Sequence, residues 1–193
     1  MRFLLGLIFG ALILVGGVVG GAYLGLLPAA ANDPSMRFEP LLAQAGLFAR
    51  IKSEAPDRDV STMSAADLVA GAGIYQKNCG VCHALPGQPQ DPAGAGMFPK
   101  APRLFSPDGM VTDDSAGETY WKVKNGIRLS GMPSFGAALS EDQMWQVTAV
   151  VKRADKLPPE VMEALKPQVV APAAAAMAPA ATPAAPPKAN AKR

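Results

Sequence analysis

Both cysteines and the only histidine of this 193-residue chain stand in one hexapeptide, "NCGVCH", residues 78–83. Random placement would put all three in the register Cys79, Cys82, His83 with a probability on the order of one in ten thousand, so the motif is the first constraint on the fold. A thioredoxin-like dithiol needs its cysteines at the head of a helix in a βαβ setting, and nothing around residue 79 reads as a strand. A structural zinc site takes four ligands, usually Cys and His, and the chain holds only these three. Covalent haem needs what is present. Two thiols three residues apart on a helical turn can add across the two vinyl groups of one porphyrin, and the adjacent imidazole then coordinates the iron.

Such a group needs a small domain around it, and the middle of the chain offers three helices. Each opens on a Ser followed three residues later by an acid or amide, the pattern of a capping box. Ser64 with Asp67 opens "SAADLVAGAGIYQKN", Ser115 with Glu118 opens "SAGETYWKVKN", and Ser140 with Gln143 opens "SEDQMWQVTAVVKR". The second is expected to stop at Gly126. In the third, Met144, Val147 and Val151 recur at helical spacing and predict a buried stripe. Between the first two lies "ALPGQPQDPAGAGMFPKAPRLFSPDG", a long loop rich in Pro and Gly. A loop of that length inside a domain needs an organiser, and a buried cofactor is one.

The two ends are different in kind. Phe3 to Leu27 is 25 residues without a charge, and a helix of that length reaches roughly 37 Å, enough to cross a bilayer with tilt. A cleaved signal competes, since Arg2 precedes the segment and Ala29, Ala30 and Ala31 follow it. A signal's apolar region is usually about 7–15 residues, so a retained anchor is favoured. Either reading sends the rest of the chain out of the cytoplasm. The organisation expected is an anchor over 1–28, a linker over 29–59 and a haem domain over 60–158. A disordered Ala/Pro-rich tail over 159–193 completes it. Within the linker, Leu41, Ala45 and Phe48 mark a candidate amphipathic helix for the membrane surface or the domain; a plain connecting helix is the alternative. Net charge is +2, and residues 60–158 carry nine Lys or Arg against nine Asp or Glu, which leaves no basic face for nucleic acid.

With the sole histidine used, the second axial ligand of the iron is a Met, another side chain, water or nothing. Met97, Met110, Met132 and Met144 lie downstream of the motif. Met144 belongs to a helix stripe and reads as core. Met132, in "NGIRLSGMPSFG", stands in a loop that could cross the other haem face, and a thioether suits ferrous iron. Asn125 and Arg128 are candidate donors to the haem propionates; a helix-end Asn and a solvated Arg are the plain alternatives. Trp121 reads as core rather than as an electron conduit.

From about residue 64 to 157 the chain resembles the class I c-type cytochromes, in particular bacterial membrane-anchored monohaem proteins with an "NGIR..GMP" methionine loop. The resemblance implies an all-α cytochrome c fold and one haem c, covalent through Cys79 and Cys82, with iron ligands His83 and Met132. It implies that Gly71 and Tyr75 sit where the last helix crosses the first. Pro102, in "APRL", is then the residue whose carbonyl receives the proximal imidazole N–H, and Leu104 packs on the haem edge. The family's last helix usually carries an aromatic facing the Gly71 and Tyr75 pair. The corresponding position here is Val150, with Trp145 one turn earlier as the residue to fill the space.

The function expected is that of an electron-transfer protein rather than an enzyme. It would be a single-pass protein of the bacterial inner membrane, its periplasmic haem domain carrying electrons from a donor complex or dehydrogenase to a terminal acceptor. The linker would let the domain swing between partners. A fixed cytochrome subunit of a membrane oxidoreductase is the second reading. A haem ligand sensor or peroxidase-like protein, which requires Met132 off the iron, is the third.

Overall fold

The computed structural model describes residues 2–167, and every regular element among them is a helix. In order these are α1 (Arg2–Tyr23), α2 (Glu39–Glu54), α3 (Ala65–Asn78), α4 (Gly80–His83), α5 (Pro92–Ala95), α6 (Ala116–Asn125), α7 (Glu141–Lys152) and α8 (Pro159–Ala164).

The expected caps form. Ser64 Oγ accepts the Asp67 N–H at 3.1 Å, and the Asp67 carboxylate accepts the Ser64 N–H at 3.2 Å. Ser140 and Gln143 repeat the exchange at the start of α7, at 3.2 and 2.9 Å. Each box satisfies backbone N–H groups that the helix itself leaves unpaired. At α6 only half forms: Ser115 accepts the Glu118 N–H, while the Glu118 carboxylate turns to Lys122 at 2.8 Å. That helix stops at Gly126, where φ is +68°.

The core lies where α3 crosses α7. Gly71 makes the crossing close, since a Cβ there would come within 2.6 Å of the Gln146 carbonyl carbon and 2.9 Å of Val150 Cγ2. Leu68, Ala72 and Tyr75 of α3 are buried, as are Val147, Val150 and Val151 of α7. The expected stripe of Met144, Val147 and Val151 is buried throughout. Each such side chain is worth roughly 1.5–3 kcal/mol of burial. Gly71→Ala is expected to cost about 1–3 kcal/mol by overpacking, read as a lower denaturant midpoint at unchanged slope. An unchanged midpoint would mean the helices do not touch there.

The aromatic partner of Tyr75 differs from the expectation. Phe105, from the long loop, meets its ring edge-on at 4.9 Å, whereas Trp145 stacks on Tyr120 at 4.0 Å. Trp145 and Val150 are five residues apart, so they point about 140° apart around α7. Val150 faces α3 and Trp145 faces α6, so Trp145 does not fill the space beside Tyr75.

Two boundaries also move. The sequence reading ends the domain at 158, yet α8 packs on α3 with Val161 and Leu165 fully buried, and the Gln76 side chain donates to the Lys166 carbonyl. Two apolar residues four apart are enough to dock one helical turn, and they are inconspicuous beside Ala/Pro-rich sequence. The remainder of the expected tail, 168–193, lies outside the described residues. At the other end, α2 docks on α6. Ile51 is buried, Trp121 Nε1–H donates to Glu54 Oε2 at 2.9 Å, and Gly117 leaves room for the Pro56 carbonyl. Much of the segment 29–59 is therefore part of the domain rather than a free tether, and Trp121 is a buried anchor for it.

Asp67 also joins α3 to α7, since the Gln146 amide donates to it at 3.0 Å. The Ser64 side chain foremost, then Gln146, hold its carboxyl below the ordinary value of 3.8. Its stabilising contribution is complete above that value and is lost as pH falls through the lower folded-state pKa. The thermal midpoints of the parent and Asp67→Asn are thus expected to differ at neutral pH and to converge as pH drops below 3.8. A gap that stays constant with pH would remove Asp67 from the acid response.

Candidate haem centre

The motif occupies the turn that follows α3. Cys79 N–H bonds the Tyr75 carbonyl at 2.8 Å, and the Cys79 carbonyl in turn receives the N–H groups of Cys82 at 3.1 Å and His83 at 2.9 Å. The chain then turns at Ala84 with φ at +61°, and the Tyr75 hydroxyl fixes this exit by donating to the Ala84 carbonyl at 2.9 Å. Burial holds that hydroxyl well above the ordinary tyrosine range.

The two thiols are free rather than joined to each other. Burial, with Cys82 second, pushes the Cys79 thiol up to about 12. A dithiol oxidoreductase works through a lowered thiol pKa, so this environment is the reverse of that reading. His83 Nδ1 lies 2.8 Å from the Pro102 carbonyl, and because a carbonyl only accepts, Nδ1 carries the proton. Burial lowers the imidazole pKa, against the opposing pull of the Pro102 hydrogen bond. A neutral ring with its Nε2 lone pair free is the ligating form, held in orientation by the carbonyl behind it.

The long loop that delivers Pro102 is organised by residues with no signal in the sequence. Gln90 Nε2 donates to the Cys82 carbonyl at 2.8 Å and to the Ala101 carbonyl at 2.7 Å, tying the motif turn to the segment that carries Pro102. Gly94 abuts Cys82, where a Cβ would lie 2.9 Å from its Cα. A lone Gln among prolines and glycines reads as a solvated loop residue, which is why neither was anticipated. Leu104 and Phe105 follow, half-buried against the core together with Leu85 and Cys79.

Met132 is also half-buried against this core. Its loop is pinned: Ile127 N–H bonds the Met132 carbonyl at 3.2 Å, while Ser130 Oγ accepts the Met132 N–H at 3.1 Å and donates to the Ile127 carbonyl at 2.7 Å. Gly126 leaves room for the returning chain, since a Cβ there would fall 2.7 Å from Ser134 N. Of the other methionines, Met144 is core and Met97 has its sulfur against Gly131, beside Met132. Arg128 is exposed on the turn of this loop, and the Asn125 amide is spent on the Trp121 carbonyl at 3.0 Å. The structure thus joins His83 to Pro102 and gathers Cys79, Leu104 and Met132 about one core, without drawing Arg128 or Asn125 to them.

These groups fit a covalent haem: two unpaired thiols on one turn, a neutral imidazole with a free Nε2, and a partly buried thioether among apolar side chains. Fold and site together define a small helical domain built around one covalently held haem. The family profile described as "Cytochrome C oxidase, cbb3-type, subunit III" matches residues 66–149. Cytochrome c6 of Synechococcus sp. (strain ATCC 27167 / PCC 6312) is 32% identical over 89 residues, which are 45% of this chain and 70% of that protein. No solved structure matches the chain. The chain belongs to the class I c-type cytochromes, electron carriers with haem c.

Proposed function

We propose that this cytochrome carries single electrons at the periplasmic face of a bacterial inner membrane, between a donor complex or dehydrogenase and a terminal acceptor, with α1 as its retained anchor. The observation that carries the electron-transfer reading is the pinned methionine loop. Its hydrogen bonds fix the backbone that carries the Met132 thioether, which would serve as the second ligand of the iron beside His83 and so favour electron transfer over the binding of exogenous ligands. When bound, haem c supplies the one-electron ferric/ferrous couple. Cys79 and Cys82 would hold it, the Pro102 carbonyl orients His83, Leu104 would offer an apolar contact, and the exposed Arg128 would be a donor to the propionates only if its side chain turned toward them.

Support for the anchor comes from α1 itself, which spans 22 residues with none buried and is long and apolar enough to cross a bilayer. A fixed subunit of a membrane oxidoreductase is the second reading, favoured by the oxidase-subunit description of the matching profile. Spectra of the purified full chain test the first reading. A low-spin haem that takes up one electron and ignores carbon monoxide is expected; rapid carbon monoxide binding would replace the carrier with a ligand-binding protein. Co-purification with an oxidase in mild detergent would favour the fixed subunit over the free carrier.

A further inference from the structure

We propose that the exposed apolar face of α2 lies in the headgroup region of the bilayer that α1 enters, so that the haem domain rides the membrane in one orientation. The proposal rests on the reading of α1 as an anchor.

Two sides of α2 differ. One is the docked side: Leu47 is half-buried, Ile51 is buried, and Glu54 receives the Trp121 indole. The other carries Leu41, Leu42 and Phe48 at 66, 72 and 53% exposure, with Phe38 at 63% just before the first turn. At about 100° per residue these four share one side, together with Ala45. Isolated exposed apolar residues are ordinary, but a continuous stripe marks a surface that something covers. α2 is not a loose segment whose stripe could turn inward, because its docked side fixes its rotation.

The occupant follows from the chain. Residues 24–38, fifteen in number, join the end of α1 to the start of α2 and extend at most about 50 Å, so α2 cannot leave the vicinity of the bilayer. Cations stand at both ends of the stripe: Arg37 beside Phe38, and Lys52 one turn beyond Phe48. The helix's acids are engaged locally, Glu39 by the Met36 N–H and Glu54 by Arg50 and Trp121. An apolar stripe with a cation at each end matches an acyl boundary beneath anionic headgroups, where long basic side chains reach outward to phosphate. Because the other side of α2 holds α6, the domain's tilt on the membrane is then set by protein packing, and redox partners must present their docking site at a fixed height.

The test uses the full holoprotein, reduced, in vesicles of phosphatidylethanolamine and phosphatidylglycerol. Spin labels are placed one at a time through Leu41→Cys, Leu42→Cys, Phe48→Cys, Ala43→Cys, Arg50→Cys and Leu12→Cys. Collision with oxygen is compared with collision with a water-soluble nickel chelate. Nickel collision several-fold lower at 41, 42 and 48 than at 43 and 50 is expected, with 12 deepest of all. Equal nickel access at 41, 42, 48, 43 and 50 with 12 still buried would overturn the proposal and leave the anchor standing. Nickel access at 12 would overturn both. Spin–spin broadening at 42 that disappears when unlabelled protein is added would assign the stripe to a second copy and also overturn the proposal.

Discussion

Met132→Ala is expected to open the iron while leaving the haem attached. The ferrous protein should bind carbon monoxide rapidly, the ferric protein should lose its thioether charge-transfer band, and the reduction potential should fall by a few tenths of a volt. Axial ligands set potentials over roughly 0.8 V, and a soft thioether favours the ferrous state, so its removal ranks among the largest single changes available to this chain. The fold should survive, because Met132 is half-buried rather than central and the serine bonds that shape its loop involve backbone groups that alanine retains. An unchanged potential without carbon monoxide binding would place the ligand elsewhere. Met97→Ala would then be next, since the Met97 sulfur lies against Gly131.

Removal of both thiols should have the second largest effect. In Cys79→Ala/Cys82→Ala the haem should become fully extractable into acidified organic solvent, whereas the parent should retain all of it and either single variant should remain linked through one sulfur. The consequence extends to folding. The loop that follows the motif is tied down by Gln90, by the Pro102 carbonyl on His83 and by Phe105 on Tyr75, and all three ties converge on the motif turn or the end of α3. Without a covalent haem the double variant should therefore show early hydrogen exchange across residues 84–109, ahead of α3 and α7. Haem that stays in the aqueous phase from the double variant would refute thioether attachment.

Local rules made much of this legible. Capping boxes placed the starts of α3 and α7 because the caps involve neighbours in sequence, and the CxxCH spacing named the cofactor because one helical turn suffices to define it. The identity of the aromatic beside Tyr75 was not legible. It depended on a loop residue thirty positions away, Phe105, and on the rotation of Trp145 toward α6. The docking of α8 is not legible either, because Val161 and Leu165 are too few to raise a periodic signal, although both are fully buried.

The sequence by itself determined the chemistry: two thiols, one imidazole, a methionine loop and an apolar segment long enough for a bilayer, all readable from residue type and spacing. Only the tertiary structure decided how they are held. Gln90 and Gly94 acquire their roles through contacts with backbone groups of chain segments that folding brings together, and such contacts leave no periodic pattern. The same holds for α2, whose amphipathic pattern allowed either of two partners. Packing gave its Ile51 side to α6, and that choice left the stripe of Leu41, Leu42 and Phe48 facing outward.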